Sequence, residues 1–272
     1  MTFLARQEHF ARVGSTNDVV RDWLAAGTAE VALAVADEQT TGRGRNGRSW
    51  IAPSGAALLL SLGFRPDWLP PDRVWRLVGT TSLAMADAAE EVGGLADRAI
   101  RLKWPNDLVI EGEDGGGVRK LAGLLGETDG LGGDDPRAVV GLGINADWAP
   151  RDFPPELIGT MTSLREASGG RPVELGALLD AFLGRLEVRI EALRGGRFDV
   201  ADWTERQLTT GREIRVAAHD GTTQTLRALG VDSASGALIV EDETAATGER
   251  PILVGEIVHV RLADPLASPS EV

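Results

Sequence analysis

Two apolar runs, residues 31–37 and 56–64, bracket a glycine-rich segment that carries three arginines within six residues, and this succession constrains the fold more than any other feature. Runs this short, rich in Val, Leu and Ala and bounded by turn residues, read as buried strands. Their connection must then be held like a flap at a sheet edge. It contains Gly42-Arg43-Gly44-Arg45-Asn46-Gly47-Arg48. Three guanidinium groups this close repel, and none can shed its proton, so the local field is best satisfied by a ligand anion. The interleaved glycines let backbone N–H groups approach that anion, which suggests a phosphate cradle. The plainer alternative is a solvated basic turn. Trp50 follows with a flat surface for a base and Gln39 precedes with a two-way amide, and both favour a ligand site. The glycines also fit the dinucleotide pattern G-x-G-x-x-G, but the segment after Gly47 opens no helix. A pyrophosphate there would lack its helix N-terminus.

The rest of the composition fits a local rather than a global cation site. The chain has 272 residues, enough for one large domain or one large and one small, and a net charge of −13. Such an acidic protein is a poor general nucleic-acid binder. The basic loop's field is screened beyond roughly 8 Å at physiological salt, so it acts on what sits in it. Cysteine is absent, which excludes disulfides and thiolate metal sites, and His9, His219 and His259 are too scattered to suggest zinc. Any metal is expected to be oxygen-bound and phosphate-held, with no protein ligands identifiable. No signal-peptide core opens the sequence and no run reaches the roughly 18 apolar residues of a membrane span, so a cytoplasmic protein without a membrane partner is expected.

Taken in order, Ser15-Thr16-Asn17-Asp18 precedes apolar residues at helical spacing that end at Gly27, with Ser15 as the expected N-cap. The same helix N-terminus offers hydroxyls and N–H groups to a small polar ligand. A second helix is expected over 73–92, with Val74, Leu77, Val78 and Met85 inward, ended by Gly93-Gly94. Two strands then meet at Lys103-Trp104-Pro105-Asn106-Asp107, turn chemistry that also pairs a lysine with an aspartate about a bend. An ion pair across the turn is the plain reading; a half-buried pair instead holds a phosphate and receives a proton. Residues 111–118 form a loose tip leading to Lys120-Leu121-Ala122-Gly123, where Lys120 reads as a solvated edge lysine unless the fold brings it to the arginine loop. In Gly141-Leu142-Gly143-Ile144-Asn145 the alternating glycines weaken a strand, and the usual reason is close approach of backbone or ligand. Residues 173–193 carry an amphipathic helix with Leu175, Leu178, Leu179, Phe182, Leu183, Leu186, Ile190 and Leu193 on one stripe, expected to be core. From residue 211 the texture changes to short strands, 213–217, 223–229, 237–240 and 252–262, which suggests a small antiparallel barrel after a boundary near Thr209.

The four motifs at Gly42, Lys103, Lys120 and Gly141 occur in the order and approximate spacing of the biotin protein ligases, and the sequence resembles that family from Ser15 to Arg261. The resemblance implies an α/β (α+β) catalytic domain with a mixed sheet, related to class II aminoacyl-tRNA synthetases, over 1–208. It also implies an SH3-like barrel over 209–272. It further implies a two-step reaction with biotin, ATP and Mg²⁺ that gives biotinyl-5′-AMP and then biotinylates a lysine of a carboxylase's biotin carboxyl carrier domain. By the same resemblance, Ser15, Thr16, Asn17, Gln39 and Gly123 belong to the biotin pocket, and Arg43, Gly44 and Arg45 hold the carboxylate and adenylate phosphate, with Arg48 nearby. Lys120 matches the family's lysine at the acyl phosphate, Trp50 and Asn145 face adenine, and Asn106 lies on the ATP side. Lys103 and Asp107 join the catalytic set, Asp107 as proton acceptor or amine orienter. Only 14 residues precede Ser15, so the DNA-binding domain of repressor-type members is not expected. A monomer or weak homodimer is expected. A lipoate ligase or octanoyltransferase, and a non-catalytic biotin or nucleotide sensor, are the alternatives.

Overall fold

The computed structural model describes residues 3–112, 117–217, 223–253 and 259–262. Among them, β1 (Arg6–Phe10), β2 (Ala32–Ala36), β3 (Ala57–Phe64), β4 (Ile100–Lys103), β5 (Asp107–Glu111), β6 (Val118–Asp129) and β7 (Arg137–Asn145) form one sheet. Its strand order is β1-β2-β3-β7-β6-β5-β4. β1 is parallel to β2 and the remaining neighbours are antiparallel, so the sheet is mixed, as expected. β2 and β3 are buried at every position, because helices cover both faces of the sheet.

On one face lies α1 (Thr16–Ala25), whose Val20, Trp23 and Leu24 pack on Ala32, Ala34 and Val139. On the other lie α2 (Trp75–Gly93) and α4 (Leu175–Arg194), whose Leu77, Met85, Phe182 and Leu186 join Phe64 and Leu142 in the main core. The spacing of the apolar residues sets these faces. Leu178, Phe182, Leu186, Ile190 and Leu193 are buried, whereas Leu175, Leu179 and Leu183 are only partly buried at the margin of the stripe. Gly94 closes α2 at a φ of 58°, the left-handed conformation that glycine adopts at least cost. Two short helices, α3 (Leu164–Ala167) and α5 (Val200–Glu205), are too brief to leave a periodic signal and are marked only by their caps, Ser163 and Asp199.

A second, antiparallel sheet follows: β8 (Glu213–Ala217), β9 (Thr223–Val231), β10 (Leu238–Glu241), β11 (Glu249–Ile252) and β12 (His259–Leu262), in the order β11-β10-β9-β8-β12. Of the strand expected over 252–262, Ile252 ends β11 and His259–Leu262 form β12; residues 254–258, His219 and the chain beyond Leu262 lie outside the described residues. Trp104, in the turn between β4 and β5, is buried in this sheet's apolar cluster with Ile214, Leu238 and Val240. Its Nε1 donates to the Gly236 carbonyl at 2.9 Å and its backbone N–H to Thr209 Oγ1 at 3.2 Å. That turn therefore fastens one sheet to the other.

The join is reinforced by Arg206, which is 2% exposed. Its guanidinium donates to Glu90 at 2.8 and 3.1 Å, to Asp87 at 2.8 Å and to the Ile100 carbonyl at 2.9 Å. Its carbonyl accepts from Leu102 N at 2.8 Å, so the segment after α5 pairs with β4 just before the Lys103–Asp107 turn. Removing one member of a buried ion cluster leaves its partners uncompensated. Arg206→Ala is expected to lower unfolding free energy by about 3–5 kcal/mol; urea denaturation followed by tryptophan fluorescence checks this.

Candidate active site

The face of the sheet that carries α1 is hollow where β6 and β7 lack side chains. A Cβ on Gly141 would lie 2.1 Å from Asn17 Oδ1, one on Gly143 2.6 Å from the Trp50 ring, and one on Gly123 2.8 Å from Lys120 Nζ. The alternating glycines thus permit the close approach expected of them, and the approaching groups are the residues singled out in the sequence. Each arrives from a different element. Asn17 stands at the start of α1, Trp50 at the end of the arginine loop and Lys120 on β6.

Lys120 reaches this face through an irregularity. In the pairing of β5 with β6, Leu108 faces Ala122 and Val109 faces Lys120, so one residue of β6, Leu121, is skipped. Strict alternation would put Lys120 and Gly123 on opposite faces; the bulge puts them on the same one. Lys120 is consequently no solvated edge lysine. Its Nζ lies 2.6 Å from Asp107 Oδ1 and 5.4 Å from the centre of the Trp50 ring. Lys103 stands opposite Asp107 in the β4–β5 register, so two lysines and one aspartate meet at this bend. Asn106 donates its amide to the Leu124 carbonyl, and its own carbonyl accepts from Leu124 N at 2.9 Å, which ties the turn to β6.

The polar end of the site is a continuous network, buried at Thr16, Asn17 and Ser61 and half-buried at Gln39 and Glu127. Gln39 Oε1 accepts from Thr16 N at 2.8 Å and Thr16 Oγ1 at 3.0 Å. Ser61 Oγ is 2.7 Å from Thr16 Oγ1 and 2.5 Å from Asn17 Oδ1, while Asn17 Nδ2 donates to Glu127 at 2.7 Å. Ser15 occupies the N-cap position and is buried, but its hydroxyl makes no capping bond. Sequence reasoning missed Ser61 and Glu127. The signal was there for Ser61, the lone hydroxyl in the apolar run of β3.

The arginine loop closes on itself. Gly44 N donates to the Arg48 carbonyl at 2.7 Å and Trp50 N to the Gly42 carbonyl at 2.9 Å, with residues 45–47 in a single 3₁₀ turn. Its three arginines differ in environment. Arg43 forms a two-pronged bond to Asp18 at 2.7 and 2.8 Å, with Glu127 at 3.6 Å, so two carboxylates of the protein stand beside its charge. The Arg43 hydrogen bonds hold the Asp18 carboxyl below its ordinary range. Arg45 is half-buried; burial pulls its guanidinium below its usual range, Asp107 counteracts this, and Arg48 adds to it. Arg45 thus shares the field of Asp107, while Arg48 stands on the exposed rim. Asn145, at the end of β7, is buried with its amide donated to the Thr162 carbonyl at 3.0 Å. A cavity of ≈ 220 Å³ opens beside Arg45, Lys103 and Asp107 and runs on between α2 and β6.

A cationic loop, a lysine–aspartate pair and a polar network on one glycine-floored face suit the handling of a carboxylate and a phosphate together. Residues 9–145 match the Biotin/lipoate A/B protein ligase family, and the chain belongs to that family. It is 31% identical to the biotin–acetyl-CoA-carboxylase ligase of Mycobacterium tuberculosis, over 92% of this chain and 88% of that one. It is 30% identical to the bifunctional ligase/repressor BirA of Bacillus subtilis, over 84% of this chain and 67% of that one. Among solved structures, the biotin protein ligase of Aquifex aeolicus in complex with biotin and ATP superposes with a TM-score of 0.75 at 25% identity, covering 95% of this chain and 99% of the other.

Two contacts hold the loop in place: the Arg43–Asp18 pair and the seat of Trp50 on Gly143. Asp18→Asn and Gly143→Ala are each expected to speed trypsin cleavage within residues 43–48 severalfold at neutral pH, read by mass spectrometry of the fragments. Cleavage at the wild-type rate in both would show that neither contact holds the loop.

Proposed function

We propose that this chain condenses biotin with ATP to biotinyl-5′-AMP and then passes the biotinyl group to a lysine of a biotin carboxyl carrier domain. The observation that carries this reading is the meeting of Lys120, Asp107, Arg45 and Trp50 on one glycine-floored face, in a family whose relatives are named for biotin ligation. In the first step a carboxylate oxygen of biotin attacks the α-phosphorus of ATP and pyrophosphate leaves. Two anions approach each other, so the protein's task is to neutralise and position. Lys120 and Arg45 serve that need, and Arg43, tied to Asp18, holds the loop with Gly44 over the reacting groups. Ser15, Thr16, Asn17 and Gln39 present the polar network to the ureido end of biotin, above Gly123. Trp50, Arg48, Asn106 and Asn145 take the nucleotide side.

In the second step the carrier lysine attacks the acyl carbon as a neutral amine, and AMP leaves. Its unperturbed pKa of about 10.4 means that a proton has to be accepted. Asp107 is the acceptor in this reading, with Lys120 and Lys103 orienting its carboxylate. Among the described residues no three His, Cys, Asp or Glu side chains cluster as metal ligands. A Mg²⁺ would accordingly arrive on the triphosphate, where it screens charge, and no step is assigned to it.

Several finer readings belong to the same proposal. The chain divides into a catalytic unit over 1–208, of the class II aminoacyl-tRNA synthetase type, and an SH3-like barrel over 209–272; the five-stranded antiparallel second sheet supports the latter. The net charge of −13 favours a protein rather than a DNA partner. No described helix is long and apolar enough to cross a membrane. A cytoplasmic enzyme acting as a monomer or weak homodimer completes the proposal.

The test is transfer of labelled biotin to a purified carrier domain with ATP, with labelled lipoate as the competing substrate. Lys120→Ala is expected to cut biotinyl-AMP formation by about 10²–10³-fold, the usual effect of removing one stabilising donor from such a centre. Asp107→Ala is expected to slow transfer from preformed biotinyl-AMP more than its formation. Lipoate incorporation at the biotin rate would overturn the substrate assignment.

A further inference from the structure

Where β7 ends, β6 takes a different neighbour. The last β6–β7 pair is Ala122 with Ile144, and at Lys120 it is the segment before α3 that lies alongside, with Met161 as the parallel partner of the lysine. Lys120 N–H donates to the Thr160 carbonyl at 2.8 Å, and the Lys120 carbonyl accepts from Thr162 N–H at 2.9 Å. Thr162 is fully buried, and its own carbonyl accepts the Asn145 amide at 3.0 Å. One threonine therefore holds both the backbone of the lysine and the side chain of the asparagine.

The hydroxyl of that threonine goes to a third residue. Thr162 Oγ1 donates to Glu166 Oε2 at 3.0 Å, and Glu166 Oε1 accepts from Arg119, the residue before Lys120. In the sequence, Ser163-Leu164-Arg165-Glu166 fits a capping box, whose glutamate would return to the N–H of the cap residue. The structure forms the other half of that box: Glu166 N–H donates to Ser163 Oγ at 3.1 Å, while the carboxylate turns to Thr162 and Arg119. The start of α3 is moored by other groups, because Ser163 Oγ donates to the Trp148 carbonyl at 2.7 Å and Arg165 N–H to the Ala146 carbonyl at 2.9 Å. Capping thus accounts for the Glu166 backbone but not for its side chain.

We propose that Glu166 is a positioning residue for the reaction, which touches neither substrate and, by gripping Arg119 and Thr162 together, fixes the spacing of Lys120 and Asn145. The inference rests on the reading above, in which Lys120 serves the reacting anions and Asn145 the nucleotide. A carboxylate that accepts from a guanidinium and a hydroxyl makes strong, directed bonds. A shift of about 1 Å in the spacing of groups around a reacting centre is enough to slow it by orders of magnitude. The polar network of Thr16, Asn17, Gln39 and Ser61 stands on α1, the arginine loop's entrance and β3, so Glu166 bears on the nucleotide and not on biotin.

The test measures biotinyl-AMP formation by the full chain as pyrophosphate release, with ATP and biotin each varied, and biotin binding without ATP by titration calorimetry. Glu166→Ala and the nearly isosteric Thr162→Val are each expected to lower kcat/KM for ATP about tenfold, the loss of one hydrogen bond to a charged group. Both should keep the wild-type Kd for biotin. Thr162→Ser, which retains the hydroxyl, should recover most of the loss. The double variant Glu166→Ala/Thr162→Val should be no slower than Glu166→Ala, because the carboxylate acts through the threonine. Wild-type kcat/KM for ATP in either single variant would overturn the proposal, as would additive losses in the double variant. So would a matching fall in biotin affinity, which marks a general loss of fold, or a Thr162→Ser variant no better than Thr162→Val. A wild type that binds biotin yet releases no pyrophosphate would instead overturn the parent reading, and the proposal with it.

Discussion

The packing of side chains directly onto backbone that has no Cβ is the contact from which the rest of the site follows. Asn17, Trp50 and Lys120 come from a helix, a loop and a strand, and each rests against a glycine of β6 or β7. Protein interiors pack densely enough that one methyl group is felt. An alanine at Gly141 would stand 2.1 Å from the Asn17 amide oxygen and would force the start of α1 away from the sheet. The glycines weaken β7 as a strand, and burial between β3 and β6 compensates: every residue of β7 from Ala138 to Asn145 is buried. A weak strand is tolerable because it is central.

Charge is organised around the same floor. A loop with three arginines in a chain of net charge −13 would be expected to lean on whatever carboxylates are near. It does so selectively. Arg43 is taken by Asp18 in two-pronged geometry, the arrangement in which a guanidinium–carboxylate pair is strongest. Asp18 sits in the first turn of α1, where the helix dipole also favours its negative charge. One arginine thus anchors the loop while Arg45 comes under the influence of Asp107. Asp107, paired with Lys120 at 2.6 Å, links the loop's field to the strand that supplies the lysine.

Much of this was legible in the sequence, for reasons that differ from element to element. β2 and β3 were readable because burial on both faces leaves unbroken apolar runs, and α4 because one-sided burial leaves a stripe at helical spacing. The meaning of Gly141 and Gly143 was readable as close approach, but not what approaches. Partners from distant elements leave no local trace, and Asn17 and Trp50 lie 124 and 93 positions upstream of those glycines. On local grounds alone Lys120 reads as a solvated edge lysine, because a bulge is a one-residue slip in pairing, invisible until the neighbouring strand is known; only the family resemblance points it to the site. The pairing of Asp18 with Arg43 leaves no sequence signal either, because locally Asp18 reads only as part of a capping segment.

Trp104 carries a consequence for how such a chain can vary. Its indole completes the apolar cluster of the second sheet while its neighbours Asn106 and Asp107 shape the reaction centre. The C-terminal sheet is therefore no interchangeable appendage. A graft of a foreign tail would have to bring its own hollow for that ring, or the graft would tilt the very bend on which acyl transfer turns.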